Sequence, residues 1–158
     1  MSKRQNLYLG KAGQLLVMSE FLAREWNVAT PEVDVGDDLF VVEDKQGIFF
    51  RVQVKTATVT NNNSGFSARF NLPLNQIDNL VDPELYFVFV LRKKNHWSDC
   101  LIIPRRKLND LYLENKFGSQ AGKYILLNLI FKNNKVYCSN VDFTEFINNY
   151  EDFPIINH

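Results

Sequence analysis

Residues Pro31–Ala57 read PEVDVGDDLFVVEDKQGIFFRVQVKTA. Leu39–Val42 is a short apolar run. The segment after it, Glu43 to Gly47, is polar and ends in a glycine, where a hairpin loop often needs positive φ. From Ile48 to Lys55 the pattern alternates, with Phe50, Val52 and Val54 on one face and Phe49, Arg51, Gln53 and Lys55 on the other. The stretch predicts a β-hairpin. Its polar face sets Gln53 and Lys55 beside a partner strand headed by Asp37 and Asp38. Opposed residues of antiparallel strands lie ~5 Å apart, so a carboxylate, a carboxamide oxygen and an ammonium converge at one sheet end.

That trio suits metal-assisted phosphodiester hydrolysis. A hard cation such as Mg²⁺ takes oxygen ligands, often one or two carboxylates completed by water and phosphate oxygens. It lowers the pKa of its water and stabilises charge on the phosphorus oxygens. A nearby ammonium can orient the water or offset that charge. The same pattern also fits a hairpin with a merely solvated polar face, where exposed ion pairs contribute ~0–1 kcal/mol.

Outward from the hairpin, the 158 residues suit one domain over 1–158, with a core motif at 10–57 and a C-terminal helix and tail at 143–158. Hydrophobic residues make up 46% and aromatics 13%, enough for a packed core without disulfide staples. The 18 Lys and Arg balance 18 Asp and Glu, which argues against a uniformly basic nucleic-acid binder but leaves room for a local basic groove. Cys100 and Cys138 sit in apolar runs and are expected as buried, reduced thiols of a cytoplasmic protein. They and His96 and His158 show no zinc-ligand spacing. No signal peptide or membrane span is expected.

Before the hairpin, Met1–Leu9 is expected as a mobile lead-in and Gly10–Trp26 as a helix with a stripe of Leu15, Met18, Leu22 and Trp26. Gly13 suggests a close approach by another backbone. Asn27–Thr30 is a connection or edge strand. After the hairpin, Asn61–Gly65 reads as a loop and Phe66–Leu72 as a strand. Leu74–Leu80 is a short helix and Tyr86–Leu91 (YFVFVL) a strand buried on both faces. Trp97–Ile103 is a strand, Arg105–Asn115 a helix, and Tyr124–Phe131 with Val136–Ser139 a second hairpin. A final helix runs from Phe143 to about Tyr150, capped by Asn140 or Asp142, before a loosely held tail. The order predicts an α/β domain with one central mixed β-sheet flanked by helices, an N-terminal helix preceding the hairpin.

A helix opening with Gly10-x-x-Gly13-Gln14, an Asp heading a strand and Gln53-x-Lys55 on the next strand together resemble the PD-(D/E)xK nuclease superfamily. The likeness is closest to small bacterial restriction-endonuclease-like domains of unassigned role that share a PEVD-x-G-x-D…QVKT hairpin. Holliday-junction resolvases and some homing endonucleases use a similar core. The resemblance covers about the first 60 residues and implies a Mg²⁺- or Mn²⁺-dependent endonuclease acting on DNA, often as a homodimer, without a small organic cofactor. It implies Asp38 as metal ligand, with Asp37 as the alternative one register step away. Gln53 stands where most members carry Glu or Asp, and its oxygen can still coordinate the metal. Lys55 matches the motif lysine. Gln14 stands where many members have Glu on the first helix, with Glu20 a poorer substitute six residues on. Asp34 is a further ligand or a loop cap. Asp38 as the sole certain carboxylate attracts a cation less strongly, so a catalytically inactive chain that binds nucleic acid or a protein partner is the competing expectation.

For nucleic-acid contact the candidates are Arg51, Arg69 and Lys11. The clusters Arg92-Lys93-Lys94 and Arg105-Arg106-Lys107 suit either phosphate contact or solvated turns. Trp97 suits base stacking or packing on a sheet edge, and His96 has no partner that would make it a general base.

Overall fold

The computed structural model describes residues 2–33, 36–63, 65–79, 82–115 and 117–156. Helix α1 spans Lys3–Leu22, and strands β1, β2 and β3 span Asn27–Ala29, Leu39–Glu43 and Ile48–Thr58. Then come β4 (Thr60–Asn62), β5 (Gly65–Pro73), α2 (Leu74–Asp78), β6 (Leu85–Lys93), β7 (His96–Pro104) and α3 (Arg105–Asn115). The chain continues with β8 (Ser119–Ala121), β9 (Tyr124–Lys132), β10 (Lys135–Cys138), β11 (Val141–Asp142) and a 3₁₀ turn at Thr144–Phe146.

The predicted hairpin is present as β2–β3, pairing Leu39 with Val52 and Glu43 with Ile48. Gly47 has φ +69°, and its N–H donates to the Glu43 carbonyl at 2.9 Å, closing the turn. The central sheet is mixed, in the order β1-β2-β3-β6-β7, with β3 parallel to β6 and the other pairs antiparallel. A second, antiparallel sheet joins β4, β5, β8, β9, β10 and β11, beyond the single sheet expected.

Two hydrophobic cores flank the central sheet. One, between the sheets, contains Phe70, Phe87, Phe89, Leu101, Leu127 and Phe143. The other, under α1, contains Val17, Phe21, Trp26, Tyr86, Val88 and Val90. Strand β6 divides its side chains between them, which is why YFVFVL has no polar face.

Helix α1 starts earlier than expected. Ser2 and Gln5 form a reciprocal capping box that satisfies two amide donors, so Lys3–Leu9 is helical rather than a mobile lead-in. Its buried line is Gly13, Val17 and Phe21; of the expected stripe, Leu15 and Leu22 are both 54% exposed, while Met18 and Trp26 pack into the core under the helix. A Cβ on Gly13 would meet Thr56 Oγ1 at 2.0 Å, so the close neighbour is a side chain of β3 rather than a backbone.

Three more expectations give way. Asn61 and Asn62 pair with Phe66 and Gly65, so the Asn-rich loop is largely ladder. The final helix is only the 3₁₀ turn, whose Thr144 N–H donates to Asp142 Oδ1 at 2.8 Å. The tail is anchored: Phe153 is fully buried against Phe21, Trp26, Phe50 and Tyr86. Trp26 Nε1 donates to the Pro154 carbonyl at 2.9 Å, and Tyr86 Oη to Asp152 Oδ2 at 2.7 Å. Both cysteines are free and buried, and burial pushes both thiols up. Among the described residues no helix is long and apolar enough to cross a membrane.

Candidate active site

The ladder between β2 and β3 ends at Leu39–Val52, where the Asp38 N–H donates to the Val52 carbonyl at 2.9 Å. Strand β3 runs six residues further, to Thr58. At the fork the Val54 N–H loses its strand partner, and a buried amide must find another acceptor. Asp38 supplies it: its Oδ2 accepts from Val54 N at 2.7 Å and also from Gln53 Nε2. The carboxylate thus stands in for the missing strand.

Two more carboxamides close around it. Gln14 Nε2, from α1, donates to the Asp38 carbonyl at 2.7 Å, and Lys11 Nζ donates to Gln14 Oε1 at 2.7 Å. Gln76 Nε2, from α2, donates to Gln53 Oε1 at 3.4 Å. Gln76 was not singled out in the sequence, since it belongs to no motif; its proximity comes from α2 packing over the sheet. Gly36, at φ +113°, faces it, and a Cβ there would come within 3.2 Å of Gln76 Nε2. Lys55 shares the face of Gln53, two residues along β3, and is half-buried.

The site is therefore the Asp38 carboxylate among three carboxamides, with Lys11 bonded to Gln14 and Lys55 on the strand face of Gln53. Among the described residues no three His, Cys, Asp or Glu side chains group as metal ligands. The donors present are nevertheless hard oxygens. Gln76 Oε1 is buried without a hydrogen-bond partner, an acceptor with a donor or cation still to be supplied. Asp38, with the Gln53 carboxamide turned oxygen-inward, fits a hard divalent cation that draws its remaining ligands from water and phosphate; a thiophilic metal finds no ligand here.

The other candidates lie elsewhere. Asp37 is 5% exposed and its Oδ2 accepts from Arg51 Nε at 2.9 Å. The pair occupies one oxygen of Asp37 and takes Arg51 out of the unpaired cations, while Asp37 Oδ1 is buried without a hydrogen-bond partner. Glu20 pairs with Arg24 at 3.2 Å and lines a separate cavity with His96, Trp97, Cys100 and Tyr150. Asp34 lies outside the described residues. Arg69 is exposed on β5, in a cavity beside Thr56 and Ala57.

Among solved structures, a bacterial homing endonuclease, I-Ssp6803I, aligns over 96% of this chain and 92% of its own, with a TM-score of 0.54 at 16% identity. The fold is restriction-endonuclease-like. A second match is Hjc, a Holliday junction resolvase from Archaeoglobus fulgidus, over 75% of this chain and 82% of its own, with a TM-score of 0.46 at 10% identity, too low to add weight. No family model matches the chain, and no curated protein does. In this restriction-endonuclease-like core the fork at Asp38 opens between α1, β3 and α2, where Gln14, Gln53 and Gln76 meet.

Proposed function

We propose that the chain is a divalent-metal-dependent endonuclease that hydrolyses DNA phosphodiester bonds, with the PEVD…QVKT hairpin as its catalytic motif. The observation that carries this reading is the Asp38 carboxylate at the strand fork, held by Gln53 and Val54 N–H, with Lys55 on the same strand face. Asp38 and Gln53 would hold Mg²⁺ or Mn²⁺, which when bound supplies Lewis acidity and a more acidic water. Lys55 orients the attacking water or offsets charge on the phosphoryl oxygens as the water–phosphorus bond forms and the leaving P–O bond breaks. Gln14 and Lys11 fix the main chain of Asp38. A homodimer would place two such sites on two strands, and reduced thiols suit the cytoplasm.

Cleavage of supercoiled plasmid and branched DNA is expected to require Mg²⁺ or Mn²⁺ and to be abolished by Lys55→Ala with the fold intact. A Lys55→Ala protein that cuts as fast as the wild type removes Lys55 from the mechanism. The amide-rich ligand set favours a second reading, a chain that binds nucleic acid without cutting. Calorimetric titration with Mg²⁺ in the presence of DNA, with Asp38→Asn as control, separates the two: no cation response in either protein selects binding alone.

A further inference from the structure

The chain has seven arginines, and they fall into two sets. Arg24 and Arg51 are ion-paired with Glu20 and Asp37, and Arg105 and Arg106 share Glu84. Among the described residues Arg4, Arg69 and Arg92 make no ion pair, and all three line cavities around the N-terminal half of α1. Arg69 borders a cavity of about 670 Å³ against the end of β3, beside the hydroxyl side chains of Thr58, Thr60 and Ser67. Arg4 and Arg92 border a neighbouring one of about 680 Å³, and Leu9 belongs to both. The Arg92 guanidinium lies 4.8 Å over the Trp97 ring and that of Arg4 5.8 Å over Tyr8. Such stacking holds a guanidinium in place while leaving its N–H donors outward.

The position of the first cavity follows from the fork. Past Val54, β3 has β6 on one side only, since β2 ends opposite Val52. Its other edge borders the cavity through Thr56 and Thr58, immediately beyond Lys55. A polyanion whose reacting phosphate lay at Asp38 and Lys55 would find hydroxyl side chains and an unpaired guanidinium next to it, then two stacked guanidinia beyond Leu9. In a chain of zero net charge, unneutralised arginines gathered at one place are a local field that the total hides.

We propose that Arg69, Arg92 and Arg4 form a track for the phosphodiester backbone of DNA, leading from the catalytic fork along the N-terminal half of α1. The track rests on the nuclease reading for its starting point. It assigns Arg92 and Trp97 to substrate binding together, the ring holding the guanidinium toward phosphate rather than stacking a base.

The test is fluorescence anisotropy with a labelled DNA duplex in EDTA, where binding is read apart from cleavage. Each of Arg69→Ala, Arg92→Ala and Arg4→Ala is expected to lower the slope of log affinity against log salt by about 1. The triple variant is expected to lower it by about 3 and to bind roughly tenfold or more weaker at 0.15 M salt. Lys107→Ala, whose ammonium is 3.9 Å from Glu145, serves as the control with unchanged slope. Trp97→Ala is expected to weaken binding as Arg92→Ala does, with no further loss in the double variant. A triple variant with wild-type slope and affinity overturns the track, and if the same wild-type protein cuts DNA with Mg²⁺ the nuclease reading survives it. A wild-type protein that neither binds nor cuts DNA overturns both.

Discussion

Replacing Gln53 by glutamate sets a second acid beside Asp38, and its cost can be worked from the structure. Gln53 is 6% exposed and donates to Asp38 Oδ2. The substitution removes that donor, a loss of ~1 kcal/mol, and sets a second carboxylate against the first. Two unit charges ~4 Å apart at an effective dielectric of about 20 repel by ~4 kcal/mol. Without a cation, one carboxyl takes up a proton instead. The sign then follows from linkage. Near pH 4 the unfolded chain is also partly protonated at this position, and little is lost beyond the hydrogen bond. As pH rises the unfolded chain releases the proton while the folded one keeps it, so the deficit grows by up to ~1.4 kcal/mol per pH unit until the repulsion caps it. Urea melts are expected to show a deficit of ~2–5 kcal/mol at pH 7 that shrinks toward ~1 kcal/mol at pH 4. Millimolar Mg²⁺ should recover part of it at pH 7. A deficit indifferent to both pH and Mg²⁺ would mean that the two side chains do not share one volume, and the metal assignment of Asp38 and Gln53 would fall with it.

Gly13→Ala forces a methyl against Thr56 Oγ1 and should cost ~1–3 kcal/mol, partly relieved by adding Thr56→Ala, as chemical denaturation of both would show. Phe153→Ala empties the aromatic cluster against Trp26, Phe50 and Tyr86 and is expected to cost ~3–5 kcal/mol in the same assay; a loss under ~1 kcal/mol would mean the tail is not anchored. Burial first, with Asp152 beside Tyr86 and Cys100 beside Tyr150, pushes both phenols up. Their protons are held in the folded state and released at about pH 10 in the unfolded one, so stability should fall as pH rises above that point. Tyrosinate absorbance and loss of circular dichroism should then rise together; tyrosinate appearing in a still-folded protein would contradict it.

The hairpin was legible because its signals are local: alternation over Ile48–Lys55 and a glycine at the turn. Arg105–Asn115 was legible for the same reason, with Pro104 as its boundary. The start of α1 was present in the sequence as Ser2-x-x-Gln5 but was outweighed by the polar, charged residues that follow. The α1 stripe misled at Leu15 and Leu22, which have the right spacing and the wrong side, while the close contact of Gly13 with Thr56 sets the helix's rotation. Asp37 and Asp38 could not be told apart by pattern, since both lie beyond the last ladder pair, where chain direction rather than alternation aims them. The second sheet and Gln76 depend on contacts between distant segments, of which a run of residues carries no trace.

Strand β6 is a party wall. Leu85, Phe87, Phe89 and Leu91 face one core, and Tyr86, Val88 and Val90 the other. Its amides can meet solvent only when both rooms open at once, so they should be the last to exchange their hydrogens. Gln53 and Lys55 are tied to this wall at the levels of Phe87 and Phe89. Strand β3 thus takes its stillness from the least mobile masonry in the molecule.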